Sequence, residues 1–342
     1  MNELSRTTAA GDATDEPLSA GRRFAVFDAL NGSLLDDGYV ARAVAAGLRT
    51  VHVTVNNFGR IMPNPSLRES LAALARLRRQ IASLDEAYLV RNAADLEGRP
   101  GKLGVVLGYQ NMPGIGRDLE MLDLFRDLDV LIVQISHNFR NLYADGCSEP
   151  ANAPLSAAGV KAVKLMNDLG IAIDLSHTGD ASSIDVMERS AHPVAITHAN
   201  AYARAPNARN KSDAVLSALA ANGGVIGICY LPPIVHVERQ PATVDDVIAH
   251  IDYVAEKIGP RHIGIGSDFI EGQPPERYEE FMRQPEVYGT WPWRFAINDL
   301  PAQTRLFEEL LRRGYSEEDV EGIAGGNFRR ILSTVWSGGR TI

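Results

Sequence analysis

The segment IAIDLSHTGDASSIDVMERSAHPVAITHA, residues 171–199, decides the fold class. Two short apolar runs, 171–177 and 193–199, predict buried strands, and the stretch between them has the apolar spacing of a helix. A strand, a helix and a second buried strand form the repeating unit of parallel α/β proteins, in which chemistry takes place at the strand ends. Both runs carry a histidine at or next to that end.

The same unit repeats along the chain. Six further apolar runs predict strands, at 24–28, 50–55, 103–110, 129–137, 224–231 and 262–269. Helical spacing recurs between most of the eight runs, at 37–47, 155–170, 180–191, 212–224 and 243–259. Periodicity alone also permits an open doubly wound sheet, but eight successive units in one chain favour a (β/α)8 TIM barrel.

The 342 residues fit one domain, because barrels of this class often exceed 250 residues. The sequence predicts that residues 1–21 form a flexible tail, which lacks the features of a secretory signal, and that residues 22–342 form the barrel. Four prolines and two tryptophans in 270–300 predict a long loop on the active-site face, either a lid or a packed surface excursion. Helical spacing then returns, starting at Asp299 or Pro301, and predicts helices that close the barrel.

Charge and composition narrow the class of partner. A net charge of −9, with no basic stripe, argues against a nucleic-acid surface. No run of about twenty apolar residues and no lipidation motif is present, so the sequence predicts a cytoplasmic protein that binds a small molecule rather than a membrane. Cys147 and Cys229 are too few for a disulfide framework and are predicted to be reduced packing residues.

Three strand ends carry side chains that can bind a metal. His177 and His198 follow consecutive strands, so their rings should face one mouth, where neutral imidazoles bind a divalent metal. Asp268, at the end of the last strand in GIGSDF, would ligate that metal or take a proton from water. The alternative for each histidine taken alone is a structural role.

Three further residues are candidates for the same mouth. His137, after the fourth strand, would donate to a developing oxyanion or be a structural histidine. Arg209, on the loop after the sixth strand and before a helix that Ser212 would cap, suits a substrate carboxylate, although loop arginines are often merely solvated. Tyr230 is predicted either to bind substrate or to pack at the rim.

Four segments together resemble the membrane (renal) dipeptidase family of metallopeptidases. They cover 165–203, 207–233, 262–269 and 306–332, in order and with compatible spacing. The resemblance implies a (β/α)8 barrel of the metal-dependent hydrolase type, dipeptide hydrolysis with a pair of zinc ions, and a homodimer.

The resemblance also implies roles for individual residues. His177 and His198 match the histidine ligands of the family's second metal. His137 matches the residue that stabilises the tetrahedral intermediate, Arg209 the one that binds the substrate carboxylate, and Asp268 the acid that handles the water proton.

The sequence departs from the family at the first metal. Leu30 and Gly32 occupy the positions of the first-strand His-x-Asp pair, and Gln110 replaces the bridging glutamate. None of the three is a good ligand for a pair of cations, so the sequence predicts at most one divalent metal, zinc first, with iron or manganese as alternatives. Gln110 or water would complete its shell.

Three functions follow from the partly retained site. The first is a one-metal hydrolase of a dipeptide or similar small amide that carries a carboxylate. The second is a lyase or oxygen-dependent iron enzyme acting on a modified amino acid, in which Asn31, Gln110 and Asn111 bind the substrate. The third is a catalytically inactive binding relative.

Overall fold

Eight parallel strands close into a barrel in the computed structural model, which describes residues 23–57, 65–238, 241–273, 279–283, 285, 293, 295–297 and 299–338. The described strands are β1 (Val26–Asp28), β2 (Leu48–Thr54), β3 (Ala87–Leu89), β4 (Leu103–Gln110), β5 (Val130–Gln134), β6 (Ala172–Asp174), β7 (Ala195–Ala199), β8 (Val225–Ile228) and β9 (Ile263–Ile265). Around the ring the order is β2, β1, β9, β8, β7, β6, β5 and β4, and β4 pairs again with β2. This closure confirms the predicted barrel and excludes the open sheet.

The strand β3 is not among the eight predicted runs. It pairs with the first residues of β4, with Ala87 opposite Leu103, on the edge that β5 occupies further along β4. Three residues give too short a pattern to be distinguished from a loop. Several predicted strands extend too far at their carboxyl ends, such as 171–177, which ends at Asp174 in the structure. Side chains take over backbone hydrogen bonds there, as when Ser176 N donates to Asp174 Oδ1.

Helices cover the outside of the barrel. The described α-helices are Asp37–Ala45, Leu67–Ser83, Met121–Asp127, Ala157–Leu169, Asp180–Arg189, Asp213–Asn222, Pro232–Val235, Val244–Ile258, Glu279–Met282, Leu300–Arg312, Glu317–Glu321 and Asn327–Gly338. Two predicted helix starts are confirmed, since the side chains of Ser212 and Asp299 accept backbone N–H groups from the first turns of their helices. Gly325 has non-helical dihedral angles inside a π-helical turn.

The amino-terminal end of the barrel interior is apolar. Phe27 of β1 stacks on Phe328 of helix Asn327–Gly338, with ring centroids 5.6 Å apart. Trp336 of the same helix donates from its indole nitrogen to the Leu131 carbonyl at 3.3 Å. This helix therefore packs against that end of the barrel, and polar side chains gather toward the carboxyl ends of the strands.

The tail 1–21 and much of the loop 270–300 lie outside the described residues. Within the described part of the chain, no helix combines the length and hydropathy needed to cross a membrane. Cys147 and Cys229 are not joined to each other, and Cys229 is buried.

Candidate active site

The two histidines predicted as metal ligands lie side by side. His177 follows β6 and His198 belongs to β7, the next strand around the ring. Their Nε2 atoms are 2.9 Å apart, and both side chains are buried. Neighbouring strand ends therefore bring the pair together as the sequence predicted.

Hydrogen bonds determine which nitrogen of His177 carries the hydrogen. Its Nδ1 lies 2.7 Å from the side-chain oxygen of Asn138, which can only accept. The Cys147 thiol, 3.6 Å from the same oxygen, is a second donor to it. Nδ1 of His177 is therefore protonated, and its Nε2 presents a lone pair.

The environment of His198 has the same effect. Its Nδ1 lies 2.9 Å from Thr197 Oγ1, and the Thr197 hydroxyl donates to Asp174 at 2.8 Å. Two Nε2 lone pairs thus face each other, an arrangement that a cation between them would stabilise. Two zinc–nitrogen bonds of about 2.0–2.1 Å bring the nitrogens to roughly 3 Å, so the pair fits a divalent metal.

The electrostatic environment keeps the histidines neutral. Burial, followed by the nearby Arg209 guanidinium, holds the pKa of both His177 and His198 well below the usual value for histidine. The same two causes lower the pKa of His137 to about 3. Neutral imidazole is the form that binds metals.

Arg209 supports the backbone at both histidines. Its side chain is 1% exposed, and its guanidinium donates to the Ser176 carbonyl and, at 3.1 Å, to the His198 carbonyl. No carboxylate among the described residues forms an ion pair with it, and its Nε lacks a hydrogen-bond partner there. A buried guanidinium without a counter-ion suits an anionic ligand, so the predicted carboxylate role stays open.

His137 lies beside the pair rather than in it. Its ring stacks on that of His177, with centroids 3.9 Å apart and planes 20° from parallel. The structure therefore brings three predicted histidines and Arg209 into one cluster. The oxyanion role of His137 stays a prediction.

Asp268 lies on the loop after β9 and is partly exposed. Its backbone has a φ of 55° and its amide donates to the Leu30 carbonyl at 2.9 Å. Over the described ranges, no three histidine, cysteine or carboxylate side chains form a metal-binding group. The structure thus places two histidines together, and the metal site and Asp268 as a third ligand or proton acceptor stay predictions.

Two predicted substrate-binding residues make contacts within the protein. Both amide hydrogens of Asn31 are donated, one to Asp28 and one to the Tyr39 hydroxyl, each at 2.9 Å. Tyr230 is fully buried, its ring packs on Phe269 and its hydroxyl accepts from Gln303 at 3.5 Å. A substrate role for Asn31 would require one of its bonds to break, and the contacts of Tyr230 are those of a packed aromatic residue.

Other residue types occupy the positions of the family's ligands for the first metal. Leu30 is buried and apolar, and Gly32 has no side chain. Gln110 is buried at the end of β4, with its backbone amide and carbonyl both bonded to the Asn56 side chain. Asn111, in a left-handed conformation at a φ of 79°, accepts from Asn141 at 2.9 Å.

Sequence reasoning missed several residues that hold the histidines in place. Asn138, Asp174 and Thr197 bond to the two rings directly or through one hydroxyl. Lys211 is buried and its ammonium donates to the carbonyls of Leu175 and Thr178, on either side of His177. The sequence signal for Asn138 and Thr197 is a short polar residue directly beside a strand-end histidine, as in SHN (136–138) and ITH (196–198).

Comparison with known proteins shows which family the chain belongs to. The sequence model of the protein family "Membrane dipeptidase (Peptidase family M19)" matches residues 39–290. The chain is 31% identical over 285 residues to "Dipeptidase tcpJ" of Claviceps purpurea, covering 82% of this chain and 63% of that protein. It is 34% identical over 241 residues to "Dipeptidase aclJ" of Aspergillus oryzae, covering 69% and 52%. The chain thus spans less than two thirds of the length of these two relatives.

Solved structures show the same architecture. An amidohydrolase from Pseudomonas aeruginosa superposes with a TM-score of 0.83 at 28% identity, covering 93% of this chain and 98% of that one. A metallopeptidase from Rhodobacter sphaeroides, bound to a phosphinate mimic of the dipeptide L-Ala-D-Ala, superposes with a TM-score of 0.74, covering 92% and 99%. At 20% identity, this second likeness shows the fold alone. By its fold, its strand-end histidines and its match to the family model, the chain belongs to the membrane dipeptidase family, peptidase family M19.

Proposed function

We propose that the protein is a metal-dependent hydrolase that cleaves a dipeptide, or a similar small amide carrying a carboxylate, with a single divalent metal ion, zinc first. The observation that carries this proposal is the pair of facing imidazole nitrogens, His177 Nε2 and His198 Nε2, 2.9 Å apart. Each presents a lone pair because its Nδ1 is bonded elsewhere. Family membership supports a peptidase reaction.

The residues of the site suit the parts of an amide hydrolysis. A divalent metal held by the two histidines would polarise the carbonyl of the scissile amide and lower the pKa of water. Arg209 would bind the substrate carboxylate, which would supply the counter-ion that its buried guanidinium lacks among the described residues. His137, stacked on His177, would donate to the developing oxyanion, and Asp268 would accept the proton of the attacking water.

The replacement of the family's ligands for the first metal supports a count of one metal ion. Leu30 and Gly32 offer no ligand atoms, and Gln110 is a neutral amide where two cations would need a carboxylate between them. No three metal-binding side chains converge within the described part of the chain. We therefore propose one metal per chain rather than two.

The test combines metal content with turnover. Elemental mass spectrometry of the purified protein should give about one zinc per chain, and the double variant His177→Ala, His198→Ala should lose it. His192→Ala is the matched control, because this half-buried histidine lies outside the site. A panel of dipeptides should be cleaved by the wild type and by the control.

Each other outcome contradicts part of the proposal. Two zinc ions per chain would overturn the single-metal count. Iron together with oxygen uptake would replace hydrolysis by the oxygen-dependent alternative. One bound zinc without cleavage of any dipeptide would refute the substrate class, and a protein free of metal would favour the binding relative. The homodimer stays a prediction that light scattering in solution would check.

A further inference from the structure

The carboxylate of Asp174 connects the ends of β6 and β7 beneath the histidine pair. The residue is buried, and its Oδ1 accepts from the backbone amides of Ser176 and Thr197, each at 3.0 Å. Oδ1 also accepts from the Ser176 hydroxyl, and Oδ2 accepts from the Thr197 hydroxyl at 2.8 Å. All four partners are donors, so the side chain acts as an acceptor only.

The Thr197 hydroxyl has one hydrogen and three polar neighbours. Asp174 Oδ2 lies at 2.8 Å, His198 Nδ1 at 2.9 Å and Ser176 Oγ at 3.0 Å. The hydrogen goes to the carboxylate, because bonds to an ionised acceptor are the strongest and Oδ2 has no other donor among the described residues. The Ser176 hydrogen is already donated to Oδ1. Thr197 Oγ1 must therefore accept the hydrogen of His198 Nδ1.

We propose that Thr197 and Asp174 are positioning residues, which set the tautomer and the ring orientation of His198 through the chain Asp174–Thr197–His198. The chain leaves the Nε2 lone pair of His198 facing His177 Nε2, 2.9 Å away. Carboxylates that orient metal-binding histidines usually accept directly from the ring, and here a hydroxyl stands between them. The proposal rests on the proposed function, because the benefit of this tautomer is metal binding.

The two histidines are held by different chemistry. His177 Nδ1 donates to Asn138, a neutral amide, at 2.7 Å, whereas His198 is connected to an anion through one hydroxyl. Thr197 is β-branched and fully buried in β7, so the rotation of its side chain is restricted. Removing this hydroxyl should therefore affect His198 and leave the hydrogen bond of His177 in place.

The first experiment compares Thr197→Val, which removes the hydroxyl at constant shape, with Thr197→Ser, which keeps it. Zinc affinity is measured by competition with a chelating dye. We expect Thr197→Val to weaken zinc binding about 10- to 100-fold, the usual effect of losing a residue that orients a ligand. Thr197→Ser should stay within about threefold of the wild type, because the chain of hydrogen bonds is restored.

Thr178→Val is the matched control. Thr178 directly follows His177, is fully buried, and its hydroxyl oxygen accepts from Ser136 at 3.1 Å without contacting a histidine nitrogen. Loss of this hydroxyl should leave zinc affinity near that of the wild type. An effect as large as that of Thr197→Val would mean that any buried hydroxyl near the site matters, and would overturn the proposal.

A second readout requires neither metal nor activity. Nitrogen-15 NMR of the metal-free wild type should show His198 with its hydrogen on Nδ1, and Thr197→Val should lose this preference. A wild-type His198 with its hydrogen on Nε2 would overturn the proposal even if the variant failed to fold. If the wild type bound no zinc but showed the expected tautomer, the proposed function would fail and the positioning role would stand.

Discussion

At the scale of single residues, His52 and Gly108 depend on each other inside the barrel. His52 of β2 is buried, its Nδ1 contacts the Ala29 carbonyl, and its Nε2 lacks a hydrogen-bond partner among the described residues. A Cβ on Gly108, in the neighbouring strand β4, would overlap this Nε2. The glycine is therefore required by the imidazole and not by its own backbone conformation.

Gly108→Ala should consequently destabilise the protein. We expect the free energy of unfolding to fall by about 1–3 kcal/mol, as is usual for an added group in a packed interior. Combining it with His52→Ala should remove most of this extra cost, because the overlapping ring is gone. Urea unfolding of the wild type, the two single variants and the double variant measures this coupling.

The control is a glycine at which an added Cβ would overlap no atom. Gly38 lies in helix Asp37–Ala45, where an added Cβ would make ordinary contacts, and Gly38→Ala should raise stability by about 0.5–1 kcal/mol. If Gly108→Ala cost the same with and without His52, the ring would not be the reason for the glycine.

At the scale of elements, helix Val244–Ile258 is connected to the barrel loops through His250. The His250 Nδ1 accepts from the Ala201 amide at 3.2 Å, and its Nε2 donates to the Val235 carbonyl at 2.9 Å. Burial is the main cause that lowers the pKa of His250 to about 4. The unfolded chain then binds a proton here at a higher pH than the folded protein does.

This difference predicts a loss of stability in acid. Between about pH 6.5 and pH 4 the unfolded state carries the extra proton, so the free energy of unfolding should fall by about 1.4 kcal/mol for each unit of pH lost. His250→Gln can keep both hydrogen bonds but cannot titrate, so its slope should be smaller by that amount. Urea unfolding at pH 7, 6 and 5 gives both slopes, and equal slopes would refute the assignment.

The strands show how much of the fold the sequence predicts. Apolar runs located all eight barrel strands, because a strand buried on both faces is apolar throughout. The three-residue β3 escaped because its pattern is too short, and several strand ends escaped because side chains such as Asp174 take over the hydrogen bonds there. His177 lies just beyond the observed end of β6 and His198 lies within β7, so the overlong prediction for β6 did not displace the site.

At the scale of the whole molecule, the fold should not depend on the metal. The barrel closes through strand pairing and is packed at its amino-terminal end by helix Asn327–Gly338, far along the strands from the histidines. We expect the chelator-treated protein to keep its far-ultraviolet circular dichroism and to have a lower melting temperature.

Returning zinc should raise that temperature with concentration. A ligand bound only to the folded state adds about 1.4 kcal/mol of stability for each tenfold excess over its Kd. The His177→Ala, His198→Ala double variant should melt at the same temperature with and without zinc. Collapse of the secondary structure on chelation would show that the metal is part of the folding core.

The sequence by itself determined the barrel, the family and the strand-end histidines, because burial patterns and the order of motifs are written locally along the chain. Only the tertiary structure decided that Arg209 supports the backbone at both histidines, that Asn31 is bonded within the protein, and that Asp174 reaches His198 through Thr197. Hydrogen bonds between side chains on different strands depend on register and rotamer, which arise when the ring closes.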